Sequence, residues 1–246
     1  MKDTGSRFLH DTRIENISES PQKLGYPQPP LELAYPADAR LLDLPEPEAV
    51  RVPALDVRAA IERRVTWRRY SEQAYTLAEL SFLLWCTQGV KTVTDRPVTL
   101  RTVPSAGARH AFETYLLINR VEGVAPGLYR YIALEHALLE VDLSPEINQR
   151  LTDATYGQRH VFNSAVTFFW AAVQERMTWR YVERGYRYLF LDAGHVCQNL
   201  YTAAEVIDAG VCAIAHFDDV PLNRLLQLDG EEMFVVYAAS TGKKPG

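Results

Sequence analysis

The strongest constraint on the fold is a long apolar seam in the last quarter of the chain. Six apolar residues recur there at intervals of 4, 3, 4, 3 and 4: Leu189, Ala193, Val196, Leu200, Ala203 and Ile207. This spacing brings all six side chains to one stripe of an α-helix. A stripe that repeats every seven residues is typical of a helix packed along another helix. The seam predicts a long helix over about residues 184–208, ended by Gly210.

Several apolar segments predict β-strands. The longest uninterrupted apolar run, Ala165–Val173, is nine residues long and apolar on both alternating sides, as a central strand would be. Residues 113–121 and 128–133 predict a hairpin, because Pro126–Gly127 marks a turn between them. Further strands are predicted over 211–217 and 233–239. Since the strands form hairpin-like pairs and do not alternate strictly with helices, the order favours an α+β fold over a doubly wound parallel sheet.

Local signals place four shorter helices. Thr76–Glu79 is a capping box, with threonine at the N-cap and glutamate three residues later, and Gly89 predicts the end of that helix. Pro145 predicts the first residue of another helix, because proline is favoured at this position. Helices are also predicted over 57–64 and 221–226.

Proline usage divides the chain. Eight of the fourteen prolines lie in the first 53 residues, where little periodicity is visible. Proline breaks helices and favours extended backbone for itself and the preceding residue. We therefore expect an N-terminal arm over residues 1–53 that lies against the rest of the protein, and one domain over residues 54–246.

Composition and motif content argue against several classes of protein. The net charge of -5 opposes a dedicated nucleic-acid binder. The nine-residue apolar run is far shorter than the roughly twenty residues that span a membrane, and we expect no signal peptide. Cys86, Cys197 and Cys212 lie among apolar neighbours, which predicts reduced cysteines and a cytoplasmic protein. No metal is expected, because the histidines lack ligand spacing, and dinucleotide, P-loop, zinc and serine-hydrolase motifs are missing.

The first candidate site is an arginine-rich segment. Arg64, Thr66 and Arg68 stand at alternate positions, so they share one side if the chain leaves the helix here and extends. Two guanidinium groups with a hydroxyl between them suit a phosphate monoester, because the planar fork binds oxyanion oxygens in pairs. A solvated helix end, with arginines near the last carbonyls, explains the same spacing, and both interpretations stay open.

Three other segments are candidate parts of a functional site. They are Pro104–Ala108, Gly210–Ala215 and Thr241–Lys244. The first two consist mostly of small residues, which allow the backbone to approach a ligand closely. A simple loop, a tightly packed core strand and a frayed charged terminus are the respective structural alternatives.

Taken in order, these four segments resemble the FMN-dependent nitroreductase-like superfamily, and within it the SagB-type (thiazoline/oxazoline dehydrogenase-like) branch. The resemblance covers roughly residues 56–244 and is carried by Pro104–His110, Pro126–Tyr131 and Glu183–Leu200. It implies a three-layer α+β fold, with a central, mostly antiparallel sheet flanked by helices. It also implies an intertwined homodimer with FMN at the subunit interface and the residue 184–208 helix in the dimer core. The arm is then expected to wrap the dimer or to cover a substrate channel.

The resemblance assigns FMN contacts residue by residue. The R-x-S-x-R element, which holds the phosphate and the pyrimidine edge, corresponds to Arg64, Thr66 and Arg68, with threonine for serine and Val65 where a second arginine is common. The loop that reaches the flavin from the partner subunit corresponds to Pro104, Ser105, Ala106 and Gly107. The segment whose backbone amides face flavin N5 corresponds to Ala213, Ile214, Ala215 and His216. The terminal basic residue that helps to bind phosphate corresponds to Lys243.

One departure from the branch concerns catalysis. Peptide azoline dehydrogenases carry a Lys-Tyr pair thought to remove protons, and the matching positions are Arg180 and Tyr181. Arginine holds its proton too firmly to serve as an ordinary base. This argues against azole formation on a peptide and suggests that Arg180 binds a substrate anion. Pairing of Arg180 with Glu183 or Glu175 on a helix is the structural alternative.

The sequence thus predicts an FMN-dependent oxidoreductase that transfers hydride through flavin N5. NAD(P)H is the expected donor, or else the organic substrate itself with oxygen as acceptor; the substrate is a small molecule or a peptide. One alternative is an azoline-type dehydrogenase acting on a modified peptide. Another is a non-catalytic flavin-fold protein that binds FMN or a peptide. A nucleic-acid role for the Arg58–Arg69 patch is the weakest interpretation because the net charge opposes it.

Overall fold

The longest apolar run forms an interior strand of a large antiparallel sheet in the computed structural model, which describes residues 3–245. In chain order the strands are β1 (Leu41–Asp43), β2 (Val90–Val93), β3 (Thr99–Arg101), β4 (Phe112–Ile118), β5 (Gly127–Ile132), β6 (Ala137–Asp142), β7 (Val166–Val173), β8 (Ala209–Ile214) and β9 (Met233–Lys243). The main sheet has the order β1-β6-β5-β4-β7-β9-β8, and each neighbouring pair is antiparallel. β2 and β3 form a separate hairpin.

Helices cover both faces of the main sheet. In chain order they are α1 (Thr4–Asp11), α2 (Val57–Arg63), α3 (Leu77–Gln88), α4 (Ile147–Ala154), α5 (Arg159–Phe162), α6 (Gln174–Tyr181), α7 (Gly185–Val206) and α8 (Asp219–Leu225). One face of β7 sends Phe168 and Trp170 into a core shared with α3 and α7. The other face sends Phe169 and Ala171 into a second core shared with α4 and α8. The α+β prediction, with a sheet flanked by helices, is confirmed.

The two clearest helix signals are confirmed. Five of the six seam residues lie in the long helix α7, and Ile207 directly follows it; all six are buried, and the helix packs against α3, α6 and β8. In the capping box, Thr76 Oγ1 accepts a hydrogen bond from Glu79 N at 3.2 Å, while the Glu79 carboxylate accepts one from Thr76 N at 3.0 Å. These bonds satisfy two backbone donors that the first turn of α3 would otherwise leave unpaired.

Several predicted boundaries are wrong. α4 begins at Ile147 and not at Pro145, because Asp142 accepts a hydrogen bond from Ser144 N at 2.8 Å and holds a turn before the helix. α7 ends at Val206, and Gly210 lies inside β8. A glycine is needed there because a Cβ would come within 2.5 Å of the Trp67 side chain. Strand β9 continues to Lys243, four residues beyond its predicted end.

Residues 3–53 lie against the rest of their own chain. They contain α1, which the sequence pattern missed, and β1, which pairs with β6 at the sheet edge. Arg187 Nε donates to Thr12 Oγ1 at 2.6 Å, and Trp179 Nε1 donates to the Tyr26 carbonyl at 3.0 Å. Arg130 donates to the Leu33 carbonyl at 3.0 Å. The Trp179 and Arg130 donors serve carbonyls of a proline-rich backbone that has few intrachain ladder partners, whereas Arg187 binds the Thr12 hydroxyl.

Within residues 3–245, no helix combines the length and the apolarity needed to cross a membrane. Over the same residues, no cluster of three or more histidine, cysteine, aspartate or glutamate side chains could hold a metal ion. All three cysteines are free thiols, and burial raises their pKa values above the ordinary range.

Candidate functional site

The arginine-rich segment after α2 is extended. α2 ends at Arg63, and Thr66 then forms a parallel bridge with Val211 of β8. Trp67 N donates to the Val211 carbonyl at 2.9 Å. The indole of Trp67 lies against Gly210, where the missing side chain makes room for it. The chain therefore leaves the helix and runs along the sheet edge, as the phosphate interpretation requires.

Two of the predicted phosphate ligands surround Tyr201 of α7. The guanidinium of Arg64 lies 5.4 Å from the centre of the Tyr201 ring, and Thr66 Oγ1 is 3.4 Å from the Tyr201 hydroxyl. Arg68 is exposed, and its charge helps burial to lower the pKa of His160. Within residues 3–245, no carboxylate lies within 4.0 Å of Arg64 or Arg68. The segment thus presents positive charge that the described residues do not neutralise.

The end of β8 lies beside this segment. Ala213 N donates to the Tyr201 hydroxyl at 3.0 Å, so Tyr201 connects the β8 backbone with Thr66. Ile214 is buried in the second core, whereas Ala215 and His216 are exposed beyond the strand. Tyr201 was not predicted from the sequence; it lies one position after the seam residue Leu200, and no motif marked it.

Lys243 lies on β9, opposite Ala209 at the start of β8, and has partners within the chain. Its side chain is buried, with Nζ 2.5 Å from a Glu79 carboxylate oxygen and 2.6 Å from the Ile207 carbonyl. The neighbouring Lys244 pairs with Glu205 at 2.7 Å. The ammonium group of Lys243 is therefore held between the first turn of α3 and the residue after α7.

The predicted loop Pro104–Gly107 is anchored to the other half of α7. The Asp192 carboxylate accepts hydrogen bonds from Ala106 N, with both oxygens at 3.3 Å. Burial raises the pKa of Asp192. Ser105 Oγ accepts a hydrogen bond from His110 N at 2.9 Å and closes the loop. Gly107 has φ 58°, a left-handed conformation that glycine adopts without steric cost.

The pair Arg180–Tyr181 ends α6 directly beside Gly107. A Cβ at Gly107 would overlap the Tyr181 hydroxyl and would come within 3.2 Å of Arg180 Cδ and Nε. Tyr181 is half-buried and meets Tyr188 edge-on, with ring centres 4.8 Å apart. The fold thus brings together two groups of predicted residues that are more than seventy positions apart in sequence.

Arg180 is exposed and has no ion-pair partner among the described residues. Neither Glu183 nor Glu175 lies within 4.0 Å of its guanidinium, so the helical ion pair considered for this residue is not formed. Its guanidinium lies 5.6 Å from the centre of the Tyr181 ring. The buried Arg109, which the sequence did not single out, lies nearby and donates to the Gly107 carbonyl at 3.2 Å.

The predicted residues therefore form two groups at different heights along α7. The phosphate-side group contacts Tyr201, and the loop group contacts Asp192. Nine residues of helix separate these positions, which corresponds to about 13 Å along the axis.

Solved structures share this fold. A provisionally named nitroreductase from Anabaena variabilis has a TM-score of 0.69 at 24% identity; the match covers 85% of this chain and only 42% of that longer chain. The E. coli microcin synthetase McbBCD complex, with truncated pro-MccB17 bound, gives 0.62 at 18% identity and covers 98% of this chain and 93% of the other. A provisionally named nitroreductase from Desulfovibrio desulfuricans, in complex with FMN, gives 0.54 at 16% identity and covers 78% and 88%.

Sequence comparison identifies the family. The protein MJ1384 of Methanocaldococcus jannaschii, provisionally named a nitroreductase, is 34% identical over 191 residues, which cover 78% of this chain and 91% of MJ1384. The profile of the nitroreductase family matches residues 61–243, a range that includes every predicted site residue. The chain therefore belongs to the nitroreductase family.

Proposed function

We propose that this chain is an FMN-dependent oxidoreductase that works as a homodimer and transfers hydride through flavin N5. The observation that carries the proposal is the extended segment of Arg64, Thr66 and Arg68 beside β8, whose guanidinium groups lack carboxylate partners among residues 3–245. Family membership and the FMN in the D. desulfuricans neighbour support it.

The donor set beside β8 fits the phosphate group of FMN. Guanidinium groups bind phosphate oxygens in pairs, and the Thr66 hydroxyl adds a further donor. The small residues at the end of β8, Ala213 and Ala215, leave room for a flat ring close to the backbone. Lys243 completes the set, although its ammonium group is already bonded to Glu79. Bound FMN would supply the two-electron redox chemistry, while the protein supplies binding and electrostatics.

The positions of the two groups support a site shared between two subunits. The loop Pro104–Gly107 and the Arg64–Arg68 segment contact α7 at positions about 13 Å apart. In a dimer, the loop of one subunit would complete the FMN site formed by the Arg64–Arg68 segment of the other. Phe190 and Leu191 on the outer side of α7 are 58% and 60% exposed, and Val57 and Ile61 on the adjacent α2 are also exposed. Exposed apolar side chains on neighbouring helices favour a protein partner.

Tyr181 is the proposed proton-transfer group. Its hydroxyl lies against Gly107 of the loop, so proton movement would occur at the tyrosine oxygen beside the predicted flavin contact. Arg180 keeps its proton and would bind and orient negative charge without acting as a base. NADH, NADPH or the organic substrate itself would deliver the electrons.

An azoline-type dehydrogenase acting on a modified peptide is the second candidate. It is favoured by the retained Tyr181 and by the likeness to the microcin synthetase complex, which extends over 98% of this chain and so includes the N-terminal arm. A precursor peptide that is oxidised by the purified protein would establish this candidate.

The first test is FMN retention. The purified protein should carry FMN, and Arg68→Ala should release it while size-exclusion chromatography still reports a folded dimer. Arg69→Ala is the matched control, because Arg69 is an exposed arginine at the next position, outside the predicted phosphate element. Unchanged retention in Arg68→Ala would refute the phosphate role. A colourless protein that cannot be reconstituted with FMN would overturn the whole proposal.

The second test separates an enzyme from a flavin-binding protein. NADH or NADPH should bleach the flavin absorbance without oxygen, and an acceptor should restore it. Tyr181→Phe should lower turnover without loss of FMN, since it removes only the hydroxyl. Full activity in this variant would exclude Tyr181 from the mechanism, and a flavin that no donor or substrate reduces would identify a non-catalytic protein.

A further inference from the structure

A cavity of about 490 Å³ opens beside Gly107, between the end of α6 and the β2–β3 hairpin. Arg96 and Asp95 of the hairpin loop line one side, and Arg109 and Arg180 line the other. Gly107 belongs to both the cavity wall and the predicted flavin-contacting loop. The Tyr181 hydroxyl lies against the same glycine, although Tyr181 does not itself line the cavity.

The cavity wall carries excess positive charge. Three guanidinium groups face one carboxylate, and no carboxylate within residues 3–245 lies within 4.0 Å of Arg96, Arg109 or Arg180. The described residues therefore leave all three guanidinium groups without a contacting carboxylate.

The burial of Arg109 makes the excess positive charge energetically unfavourable. The residue is only 7% exposed, its Nε donates to the Gly107 carbonyl, and its guanidinium lies 5.1 Å from the centre of the Trp179 ring. Burial and the like charge of Arg180 lower the pKa of Arg109. A buried guanidinium without a counter-ion is unfavourable unless an anion joins it.

We propose that this cavity is the oxyanion subsite of the substrate pocket, and that it binds a carboxylate or phosphate group of the molecule that exchanges electrons at the site. The inference rests on the proposed function and specifies its substrate class. Planar guanidinium forks bind such groups through pairs of hydrogen bonds, so three forks around one cavity favour an anion over a neutral isostere. Arg180 places the bound anion next to Tyr181.

Calorimetric titration of the purified dimer tests the subsite without turnover. The probes are 4-nitrobenzoate and its neutral analogue 4-nitrobenzamide, and NADP⁺ against NAD⁺. Arg180→Gln and Arg96→Gln should each weaken at least one anionic probe by roughly tenfold or more, the loss expected for a charge-assisted hydrogen bond. Arg180→Lys should restore part of the affinity. Both arginines are exposed, so their replacement should not unfold the protein.

The control is Arg224→Gln, which removes an exposed arginine from α8, outside the cavity lining. It should leave all four titrations unchanged, and 4-nitrobenzamide should bind all variants alike. Loss confined to 4-nitrobenzoate identifies a substrate carboxylate, whereas loss confined to NADP⁺ identifies the 2′-phosphate of a donor; both support the subsite.

The proposal is overturned if the wild-type protein binds 4-nitrobenzoate no more tightly than 4-nitrobenzamide and NADP⁺ no more tightly than NAD⁺. It is also overturned if Arg180→Gln and Arg96→Gln bind both anions as the wild type does. Failure of the oxidoreductase proposal is read separately, from FMN content. A protein without FMN that still prefers the anions keeps the subsite, and a flavoprotein without this preference loses only the subsite.

Discussion

Arg176 and Arg180 lie one helical turn apart on α6, yet their surroundings are opposite. Arg176 donates to Glu113 at 2.6 Å and to the Pro30 carbonyl at 2.8 Å, and the two charged side chains are 4% and 3% exposed. Arg180 is exposed, lines a cavity and has no carboxylate within 4.0 Å among residues 3–245. The first arginine joins the N-terminal arm to the sheet, whereas the second faces the candidate site.

Whether an arginine has a structural role or is free to bind a ligand therefore depends on its contact partners, and not on its place in the sequence pattern. Removing one partner of a buried ion pair lowers the free energy of unfolding strongly, because the other charge stays buried without a counter-ion. Replacing an exposed, unpaired arginine costs the protein little stability but can weaken the binding of a ligand. Substitutions at Arg176, Gly107, His110 and Arg58, with controls at Arg180 and Gly123, test this contrast.

Arg176→Gln should lower the free energy of unfolding by about 3–5 kcal/mol, because Glu113 remains buried without its counter-ion. Arg180→Gln is the matched variant on the same helix and should change it by less than about 0.5 kcal/mol. Urea unfolding followed by circular dichroism measures both. Equal effects in the two variants would break the contrast.

Gly107→Ala should destabilise the protein by about 2 kcal/mol, from the left-handed backbone and from overlap with the Tyr181 hydroxyl. Gly123 also has a positive φ, of 76°, but no atom lies within 4 Å of its Cβ position. Gly123→Ala therefore reports the backbone strain alone. The difference between their unfolding free energies measures the contact with the Arg180–Tyr181 pair, and a difference of zero would contradict it.

His110 is buried near the charges of Arg101 and Arg109, and its contribution to stability depends on pH. Burial, followed by the charges of Arg101 and Arg109, lowers the pKa of His110 from 6.5 to about 3. The unfolded chain takes up a proton below pH 6.5 that the folded chain refuses, so this stability is full above pH 6.5 and is lost towards pH 3. Unfolding free energy should fall by about 1.5 kcal/mol from pH 6.5 to 5.0 through this group.

His110→Asn should flatten that part of the pH profile, since asparagine does not titrate and tolerates the left-handed backbone at this position, φ 42°. Denaturant titrations at several pH values measure the effect. A mutant profile as steep as that of the wild type would exclude His110 as the cause.

Arg58→Ala should have the smallest effect. Arg58 donates to Glu62 at 2.8 Å one turn later on α2, but the two side chains are 85% and 61% exposed. Water screens such a pair, so its loss should cost less than about 0.5 kcal/mol. Thermal or urea unfolding of this variant checks the expectation. A large loss would show that a carboxylate partner matters even without burial.

Much of the fold could be predicted because local patterns and tertiary packing agree. The seam of α7, the capping box of α3 and the apolar strand β7 are all confirmed, and each buries or caps the groups that its pattern indicated. The helix α1, the start of α4 and the place of Gly210 inside β8 were missed. Ser144 N donates to Asp142 in a turn before α4, and the Trp67 side chain lies on Gly210; neither contact leaves a periodic trace in the sequence.

The candidate site divides in the same way. The alternation of Arg64, Thr66 and Arg68 was visible, and so were the small residues around Gly107. Tyr201, which joins Thr66 to the β8 backbone, and Arg109, which is buried beside Gly107, were not found. Tyr201 lies in no recognised motif, and Arg109 lies inside Pro104–His110 but was given no role there. The contacts of both residues depend on which segments meet in space.

Hydrophobic periodicity acts over neighbouring residues, so the sequence predicts an α+β protein around one long amphipathic helix and one fully apolar strand. Which charges are satisfied depends instead on the packing of distant segments. The tertiary structure paired Arg176 with Glu113, bonded Lys243 to Glu79, and left Arg180 beside Gly107 without a carboxylate among the described residues. Electrostatic partners come from distant segments, so their pairing depends on the packed sheet and helices.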